Sequence, residues 1–405
     1  MTDDNSHIDT GRFLAHRRRE FLLVAGIALV LVAALRVRTD TLTYDHTDFF
    51  NPWDHHKYIW MASNNPFDFH VAPFCWRVAT PMLVKALPMD VERGFLAVSY
   101  LALWLTGVAV FYLVRRFGFG KWPALAGMFL YFSIGWVVKA NLYNIFKPDP
   151  LAFLISTLAI YCIVARKNLL YALLLAVGVL AKESVLFVAV LYYTLLARRA
   201  VDPKLLVRTI LLALPAVAVL VALRTLIPMQ NDDPLYMSTL PEALRQVQLG
   251  SSTYDPAWLW SEIGLPRLRA ISPEALVRYT AGAFGITAAM LPLFAVRRNL
   301  SLFLRFLPFL ILVYAQILFA TNDTRVLAFG FVPFIILSMG GAERITSALR
   351  VDARTIIVLF AALIGILLVR TWMLFVPLPF EAVLFVLYLG ICFSWGEFKR
   401  PAAYM

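Results

Sequence analysis

The sequence predicts an all-α polytopic membrane protein with about twelve transmembrane helices, and three observations support this class. The chain has 405 residues, of which 61% are hydrophobic and only 15% are charged. A soluble domain of this length carries far more charge on its surface. The apolar runs are continuous rather than alternating, which excludes a transmembrane β-barrel. Short pairs of Lys and Arg separate the runs, as expected where basic residues encode membrane orientation.

Twelve apolar stretches are candidate membrane spans, and we expect them to form a single helical membrane domain over residues 1–405. The stretches on either side of Lys182-Glu183 are short for a bilayer of roughly 30 Å, so they are either two short helices meeting at a polar break or one bent segment. Arg17-Arg18-Arg19 precedes the first stretch as in a signal peptide, but no cleavage site follows, so a retained helix is expected. The candidate spans are residues 21–36, 94–114, 122–140, 150–165, 169–181, 184–198, 206–227, 276–296, 301–319, 325–343, 356–376 and 380–396.

Basic residues between the spans predict which loops face the cytoplasm. With the N-terminus inside, every inner loop carries Lys or Arg, provided that region 169–198 crosses the membrane twice. We expect an integral protein of the bacterial inner (plasma) membrane, with both termini cytoplasmic. The net charge of +12 lies mainly in these loop pairs, which argues against a nucleic-acid partner.

Two long outer loops, residues 37–93 and 228–275, carry signals for amphipathic helices at the membrane interface. In the first loop, an Asn-Pro pair opens a predicted helix over Pro52–Ala62. In the second, proline starts and glycine stops predict short helices over 241–250 and 256–264. Tryptophans in these loops favour a position at headgroup depth.

The first outer loop concentrates carboxylates and histidines. A carboxylate held near a membrane surface can act as general base on an acceptor hydroxyl. Asp/His clusters also bind divalent metals, but the ligand spacing is irregular, so no metal or other cofactor is assigned. Alternatively, Asp54 is a first-turn residue favoured by the helix dipole and the rest is solvated loop. The cluster comprises Asp45, His46, Asp48, Asp54, His55, His56, Lys57 and Tyr58.

Two further segments carry isolated charges beside apolar runs. Arg77 lies in an aromatic segment. Its guanidinium either binds a phosphate through several N–H donors or reaches the lipid headgroups while its aliphatic part stays in the apolar layer. Asp149 precedes Pro150 at the start of the fourth span, and helix capping explains it by itself. Lys147, beside the same helix N-terminus, has no such explanation and favours an anion site.

Ionisable residues also interrupt the middle and the late part of the chain. Lys182-Glu183 breaks an apolar stretch, and charges at that depth are costly and usually functional. Lys182 is therefore a candidate phosphate ligand, and a partly wet turn is the alternative. Asp323-Thr324-Arg325 forms the turn before the tenth span. Arg325 opposes the helix dipole there, which favours a phosphate-binding role.

These segments together resemble the GT-C superfamily of membrane glycosyltransferases. The similar features are the long acidic first outer loop, the aromatic-Arg-Pro segment at Arg77, Asp149-Pro150, the Lys182-Glu183 break, and Asp323-x-Arg325 before a late span. They cover most of the first 345 residues. The chain departs from the pattern because its first loop lacks an Asp-Asp or Glu-Asp pair. It also lacks the C-terminal soluble domain of oligosaccharyltransferases.

The resemblance implies roles for particular residues of this sequence. The catalytic carboxylate would be one of Asp45, Asp48 and Asp54. The donor phosphate would be held by Lys182 and Arg325, joined by Lys147 or Arg77. Supporting roles would fall to Asp149, Glu183, His55, His56, Tyr58 and Asp323.

The expected function is transfer of a sugar from a polyprenyl-phosphate donor to a hydroxyl of a glycan, lipid or protein acceptor on the extracytoplasmic face. A first-loop Asp deprotonates the acceptor, and direct displacement inverts the sugar carbon. No nucleotide-binding motif appears in the inner loops, in keeping with a lipid-linked donor held among membrane lipids. The alternative is a secondary transporter or lipid flippase. Against it, the two halves of the chain do not resemble each other and the charges gather at one surface.

Overall fold

The computed structural model is helical wherever it assigns regular structure, which confirms the predicted all-α class. It describes residues 10–42, 54–199, 201–230, 237–238, 259–320, 322–352, 354–369 and 371–398. The α-helices, numbered in chain order, are α1 Thr10–Val37, α2 Asp54–Ser63, α3 Ala79–Ala86, α4 Val91–Arg116, α5 Lys121–Ser133, α6 Lys139–Tyr143, α7 Asp149–Val164, α8 Asn168–Ala181, α9 Val188–Leu196, α10 Pro203–Leu226, α11 Leu265–Ala270, α12 Pro273–Met290, α13 Val296–Ala315, α14 Asp323–Leu327, α15 Phe331–Ala348, α16 Thr355–Val369 and α17 Leu378–Phe398.

Six helical segments in the described residues are long and apolar enough to cross a membrane, rather than the twelve expected. They are Arg18–Val37, Val91–Arg116, Pro203–Leu226, Pro273–Ala295, Asn299–Leu318 and Asp323–Ala348. Five shorter apolar helices coincide with other predicted spans: Asp149–Val164, Asn168–Ala181, Glu183–Leu196, Thr355–Val369 and Leu378–Ser394. A helix of 16 residues, such as α7, rises only about 24 Å, which is short of a hydrocarbon core of roughly 30 Å.

The expected number of twelve membrane spans was wrong because several apolar runs continue beyond the helix that they contain. The predicted span 122–140 holds a helix that stops at Ser133, after which Ile134 is extended. Likewise, the predicted span 356–376 holds a helix that ends at Val369. The connection after Ser133 is packed inside the protein, whereas Trp372 and Phe375 in the connection after Val369 are exposed.

The predicted helices of the long outer loops are found only in part. The described part of the first begins at Asp54 and ends at Ser63, close to the expected end. In the second loop a π-helical turn over Leu259–Gly264 runs directly into α11, and Gly264 itself is helical, so the predicted stop at this glycine was wrong. The start of both helices, and the helix predicted over 241–250, lie outside the described residues.

The long helices differ in how much of their surface the protein covers. In the segment Asp323–Ala348, 83% of the residues in the most apolar stretch are buried, so this segment forms the centre of the bundle. In Pro203–Leu226 only 11% is buried, so this helix is the candidate span least covered by protein, although it packs against α8. At Gly341 the central helix α15 passes so close to the backbone carbonyl of Leu291 that a Cβ would collide with it.

The first outer loop folds onto the helix ends with a small hydrophobic core of its own. Tyr58, Phe69 and Trp76 are buried there. Trp76 Nε1 donates to the carbonyl of Ile227 at 3.1 Å, just past the end of α10. His70 Nδ1 lies 2.9 Å from the carbonyl of Pro228. These contacts fix the chain immediately before Arg77 relative to α10.

Two cations hold the C-terminal end of α16. Lys139 is fully buried, and its Nζ donates to the carbonyl of Leu367. Arg38, just past α1, donates to the carbonyls of Leu368 and Val369 at 2.8 and 2.9 Å. These bonds satisfy terminal carbonyls that have no partner within a helix, and positive charge suits that end of the dipole.

The apolar stretch around Lys182 is two short helices that meet at a polar break, as one of the two sequence interpretations proposed. Helix α8 ends at Ala181, and Lys182 is extended with φ −163° and ψ 132°. A 3₁₀ turn then covers Glu183–Phe187, and α9 continues from Val188. The break places two consecutive charged side chains inside the bundle.

Candidate functional site

Asp149 lies between two cations that come from distant parts of the chain. Its Oδ1 accepts from Lys182 Nζ at 2.7 Å, and its Oδ2 accepts from Arg325 Nε at 2.9 Å. The side chain of Asp149 is 3% exposed, against 21% for Arg325. The start of α7, the break after α8 and helix α14 therefore meet at one carboxylate.

The interpretation of Asp149 as a helix cap is wrong. Helix α7 begins at Asp149 itself, Pro148 is the capping residue, and no side chain makes the cap hydrogen bond. Both oxygens of Asp149 are instead engaged by cations. At α14 the cap comes from Asn322, whose Oδ1 accepts from the backbone N–H of Arg325 at 3.0 Å. The guanidinium of Arg325 is thereby left to pair with Asp149.

Arg77 forms a second ion pair next to the first. Its Nε and Nη2 donate to the two carboxylate oxygens of Glu183 at 3.0 and 2.5 Å, and Nη1 donates to the hydroxyl of Tyr58 at 3.4 Å. Burial works against the charge of Arg77, but Glu183 and Tyr58 outweigh it and hold the pKa of the guanidinium well above its usual range. Snorkelling to headgroups is therefore not its role in this structure.

The two ion pairs form a single cluster because Lys182 and Glu183 are consecutive. The positive charge of Lys147 also acts on Asp149. We call the six residues Arg77, Lys147, Asp149, Lys182, Glu183 and Arg325 the ion cluster. Among the side chains that the structure describes here, four are cations and two are carboxylates, so positive charges outnumber negative ones by two. The side chain of Glu183 is 33% exposed, so the cluster is open on that side.

Helix α2 brings part of the first outer loop to this cluster. Tyr58 touches Arg77, and Asp54 precedes Tyr58 by four residues, so both positions share one helix face. His55 is buried with its ring centroid 4.0 Å from that of His56. Burial, aided by the charge of Lys57, lowers the pKa of His56.

The candidate catalytic carboxylates themselves are not among the side chains that the structure describes. Asp45 and Asp48 lie outside the described residues, and of Asp54 only the backbone is described. The placement of α2 supports Asp54 only through its neighbours on the same helix.

Asp323 does not join the ion cluster. Its Oδ1 faces Arg267 Nη1 at 3.4 Å, and the same guanidinium also donates to the carbonyl of Ile317 at 2.8 Å. Asp323 therefore fixes the second outer loop to the turn before α14, which is a structural task. Its supporting role at the site stays a prediction, and the described contact of its carboxylate is with Arg267.

Sequence reasoning missed one polar pair beside the ion cluster. Ser184 Oγ donates to Gln316 Oε1 at 2.6 Å, and Ser184 is buried next to Glu183. The signal was Gln316, the one amide side chain in the predicted span 301–319. This bond links the polar break to the C-terminal end of α13.

The chemistry of the cluster suits an anion. A surplus of positive charge on fixed arginine and lysine side chains is what a phosphate group requires. In the described part of the chain no three His, Cys, Asp or Glu side chains converge as a metal site would need. A scan against protein-family models and a search of curated proteins both find no match to this chain.

Proposed function

We propose that this chain is a membrane glycosyltransferase of the GT-C type, which transfers a sugar from a polyprenyl-phosphate donor to an acceptor hydroxyl on the extracytoplasmic face. The observation that carries the proposal is the ion cluster, in which Lys182 and Arg325 converge on Asp149 from positions 33 and 176 residues away in the sequence. A cluster with surplus positive charge at the ends of membrane helices suits a lipid-linked phosphate that enters from the bilayer.

In this reaction the acceptor oxygen attacks the anomeric carbon while the bond from that carbon to the phosphate oxygen breaks. The acceptor proton passes to a first-loop carboxylate, and polyprenyl phosphate leaves with the bonding electron pair. Direct displacement inverts the anomeric centre. Lys182 and Arg325 stabilise the negative charge that develops on the leaving phosphate, with Arg77 and Lys147 nearby.

Asp149 is a positioning residue in this scheme rather than the base. Its carboxylate is buried and shared between two cations, which stabilise its ionised form and make it a weak base. The base is assigned to Asp45, Asp48 or Asp54. Asp54 has the additional support that Tyr58, on the same face of α2, contacts Arg77.

The proposal is tested with the purified protein in lipid nanodiscs, radiolabelled polyprenyl-phosphate mannose and glucose, and glycan, lipid and protein fractions of the cell envelope as acceptors. We expect Lys182→Met or Arg325→Met to lower turnover by about 10²-fold, the usual loss when one charge-stabilising donor is removed. Arg93→Met is the matched control, because Arg93 pairs with Asp90 on the exposed surface. Mass spectrometry should find polyprenyl phosphates among the copurified lipids. If neither donor is consumed and no such lipid copurifies, the proposal fails.

The alternative of a secondary transporter or lipid flippase is favoured by a different observation. Transporters use ionisable residues at broken membrane helices, and α12 is broken at Gly285 beside the buried Glu381. Proteoliposomes loaded with polyprenyl-phosphate mannose separate the two functions. A flippase moves the intact lipid between leaflets, whereas the transferase consumes it only when an acceptor is present.

A further inference from the structure

Helix α12 is interrupted in the middle of a candidate membrane span. Gly285 has φ 84° and ψ 161° inside the segment Pro273–Ala295. Non-helical backbone at membrane depth is tolerated where it is buried in protein or lines a polar cavity. The sequence around the break, Gly282-Ala283-Phe284-Gly285, gave no such signal beyond its two glycines.

A buried carboxylate faces this interruption. Glu381, in the first turn of α17, is 4% exposed, and its Oε1 accepts from the backbone N–H of Thr287 at 2.9 Å. In an unbroken helix that N–H would bond to the carbonyl of Ala283. A Cβ at position 285 would lie 2.5 Å from Glu381 Oε1, so only glycine leaves room for the carboxylate.

Glu381 and the helix break line a small cleft. The remaining wall comes from the end of α5 and from aromatic side chains, including Ser133, Trp136 and Phe375. The cleft has room for a group about the size of a water molecule. Among the described residues of its lining, Glu381 is the one that carries a charge.

The charged group in this cleft is negative. A carboxylate buried in a membrane protein is costly unless a positive charge compensates it. The C-terminal end of the first half of α12, at Phe284, adds the negative end of a helix dipole. A break in an α-helix leaves carbonyls of the preceding turn without their usual partners, and carbonyl oxygens are ligands for hard cations. The backbone N–H of Thr287, at the start of the second half of α12, offsets part of the charge of Glu381, whereas the other features favour a cation.

We propose that the cleft between Gly285 and Glu381 binds a small monovalent cation such as Na⁺, K⁺ or NH₄⁺. Glu381 supplies the charged oxygen, and the opened turn of α12 supplies carbonyl oxygens. Divalent ions are disfavoured because a single carboxylate neutralises only one of their two positive charges. Larger organic cations exceed the size of the cleft. This site is separate from the ion cluster and does not depend on the proposed transferase function.

The test is thermal unfolding of the detergent-purified protein in NaCl, KCl, NH₄Cl or choline chloride at equal ionic strength and constant pH. A ligand that binds only the folded state raises the unfolding temperature. At saturation we expect a rise of at least about 2 °C in one of the three small-cation salts relative to choline, a shift that corresponds to a modest binding energy. Equal unfolding temperatures in all four salts overturn the proposal.

Glu381→Gln locates the site, because the amide oxygen still accepts from Thr287 but carries no charge. We expect this variant to lose the difference between the salts, while Asp90→Asn, at an exposed helix cap, keeps it. A cation effect that persists in Glu381→Gln places the ion elsewhere and contradicts the proposal. If the variant does not fold, the comparison of salts in the unmutated protein still decides. A dependence on pH with no difference between salts shows a proton site instead and also overturns it.

Discussion

Lys182 Nζ lies 2.7 Å from Asp149 Oδ1, although 33 residues and the whole of α7 and α8 separate them. The contact closes the α7–α8 hairpin at its polar end. It also neutralises two charges that would each be costly to bury alone. Because Arg325 approaches the other oxygen of Asp149, this hairpin is tied to the late part of the chain as well.

Asp149→Asn should destabilise the fold strongly. The substitution preserves the shape of the side chain but leaves Lys182 and Arg325 without their counter-ion. Breaking a buried ion pair from one side costs about 3–5 kcal/mol. The free energy of unfolding in detergent, from denaturant titration, measures this loss. A loss below about 1 kcal/mol, the level of exposed pairs, would contradict the buried network.

The double variant Asp149→Asn/Lys182→Met serves as the control for that experiment. It removes the uncompensated lysine together with its partner, and a buried pair replaced by less polar groups often recovers stability. We expect the double variant to be more stable than Asp149→Asn alone. Arg325 keeps its charge in both proteins, so the comparison isolates the contact between Asp149 and Lys182.

Arg77→Lys should be damaging despite the conserved charge. Lysine cannot make the two parallel hydrogen bonds that Arg77 makes to Glu183, nor reach Tyr58 at the same time. The expected loss is about 1.5–3 kcal/mol in the free energy of unfolding. Arg93→Lys is the matched control at the exposed pair with Asp90 and should change stability by less than about 0.5 kcal/mol. Equal effects at the two positions would show that the geometry at Arg77 is unimportant.

Lys139 should make stability rise with pH in the alkaline range. Burial, with a contribution from Arg38, lowers the pKa of Lys139 to about 8, below the value of 10.5 for a free lysine. Between these values the unfolded chain binds more protons than the folded protein, so the free energy of unfolding increases with pH. Below pH 8 both states are protonated, and the cost of burying the charge is fully present.

The variant Lys139→Met isolates this contribution from other groups that titrate in the same range. We expect the difference in unfolding free energy between the unmutated protein and the variant to grow in favour of the former from about pH 8 to 10.5. Denaturant titrations at several pH values across this range measure it. A difference that is flat over this range would show that Lys139 titrates normally.

Asp45→Asn, Asp48→Asn and Asp54→Asn identify the base of the proposed transferase. General-base catalysis contributes about 10²–10⁴-fold, so one of the three should lose at least about 10²-fold in turnover while the other two keep most of it. The assay uses radiolabelled polyprenyl-phosphate mannose and glucose, with unfolding temperature as the check on folding. Full turnover in all three variants would rule out a first-loop base.

The orientation in the membrane is open to single-cysteine labelling. Cys75, Cys162 and Cys392 are buried, and a cysteine-free background is prepared first. Cysteines at the exposed positions Asn64 and Asn322 should both react with an impermeant maleimide from the extracytoplasmic side. Lys167→Cys, in a predicted inner loop, should react only after the membrane is opened. Labelling of positions 64 and 322 from opposite sides would end the proposed site.

The residues of the ion cluster stand out in the sequence for a simple physical reason. A charge within or beside an apolar run has to be compensated, so Lys182, Glu183 and Arg325 attract notice without any structure. Their pairing does not follow from the sequence. Local reasoning assigned Asp149 to the cap of its own helix, whereas its partners lie 33 and 176 residues away.

The number of membrane spans was overestimated because hydrophobicity indicates that a segment is buried but does not indicate how long its helix is. The run 122–140 is apolar throughout most of its length, yet its helix ends at Ser133 and the rest packs largely as irregular chain. Glu381 was overlooked for the opposite reason. It lies in the first turn of a helix, where a carboxylate is ordinary, and only the break at Gly285 gives it significance.

The contact of Trp76 with Ile227 connects the ion cluster to the lipid bilayer. Helix α10 is the candidate span least covered by protein, so its tilt responds to the thickness of the surrounding hydrocarbon. Its end holds Trp76, and the next residue along the chain is Arg77. A thicker or thinner membrane would therefore displace Arg77 relative to Glu183. The geometry of the ion cluster would then depend on the acyl-chain length of the surrounding lipids.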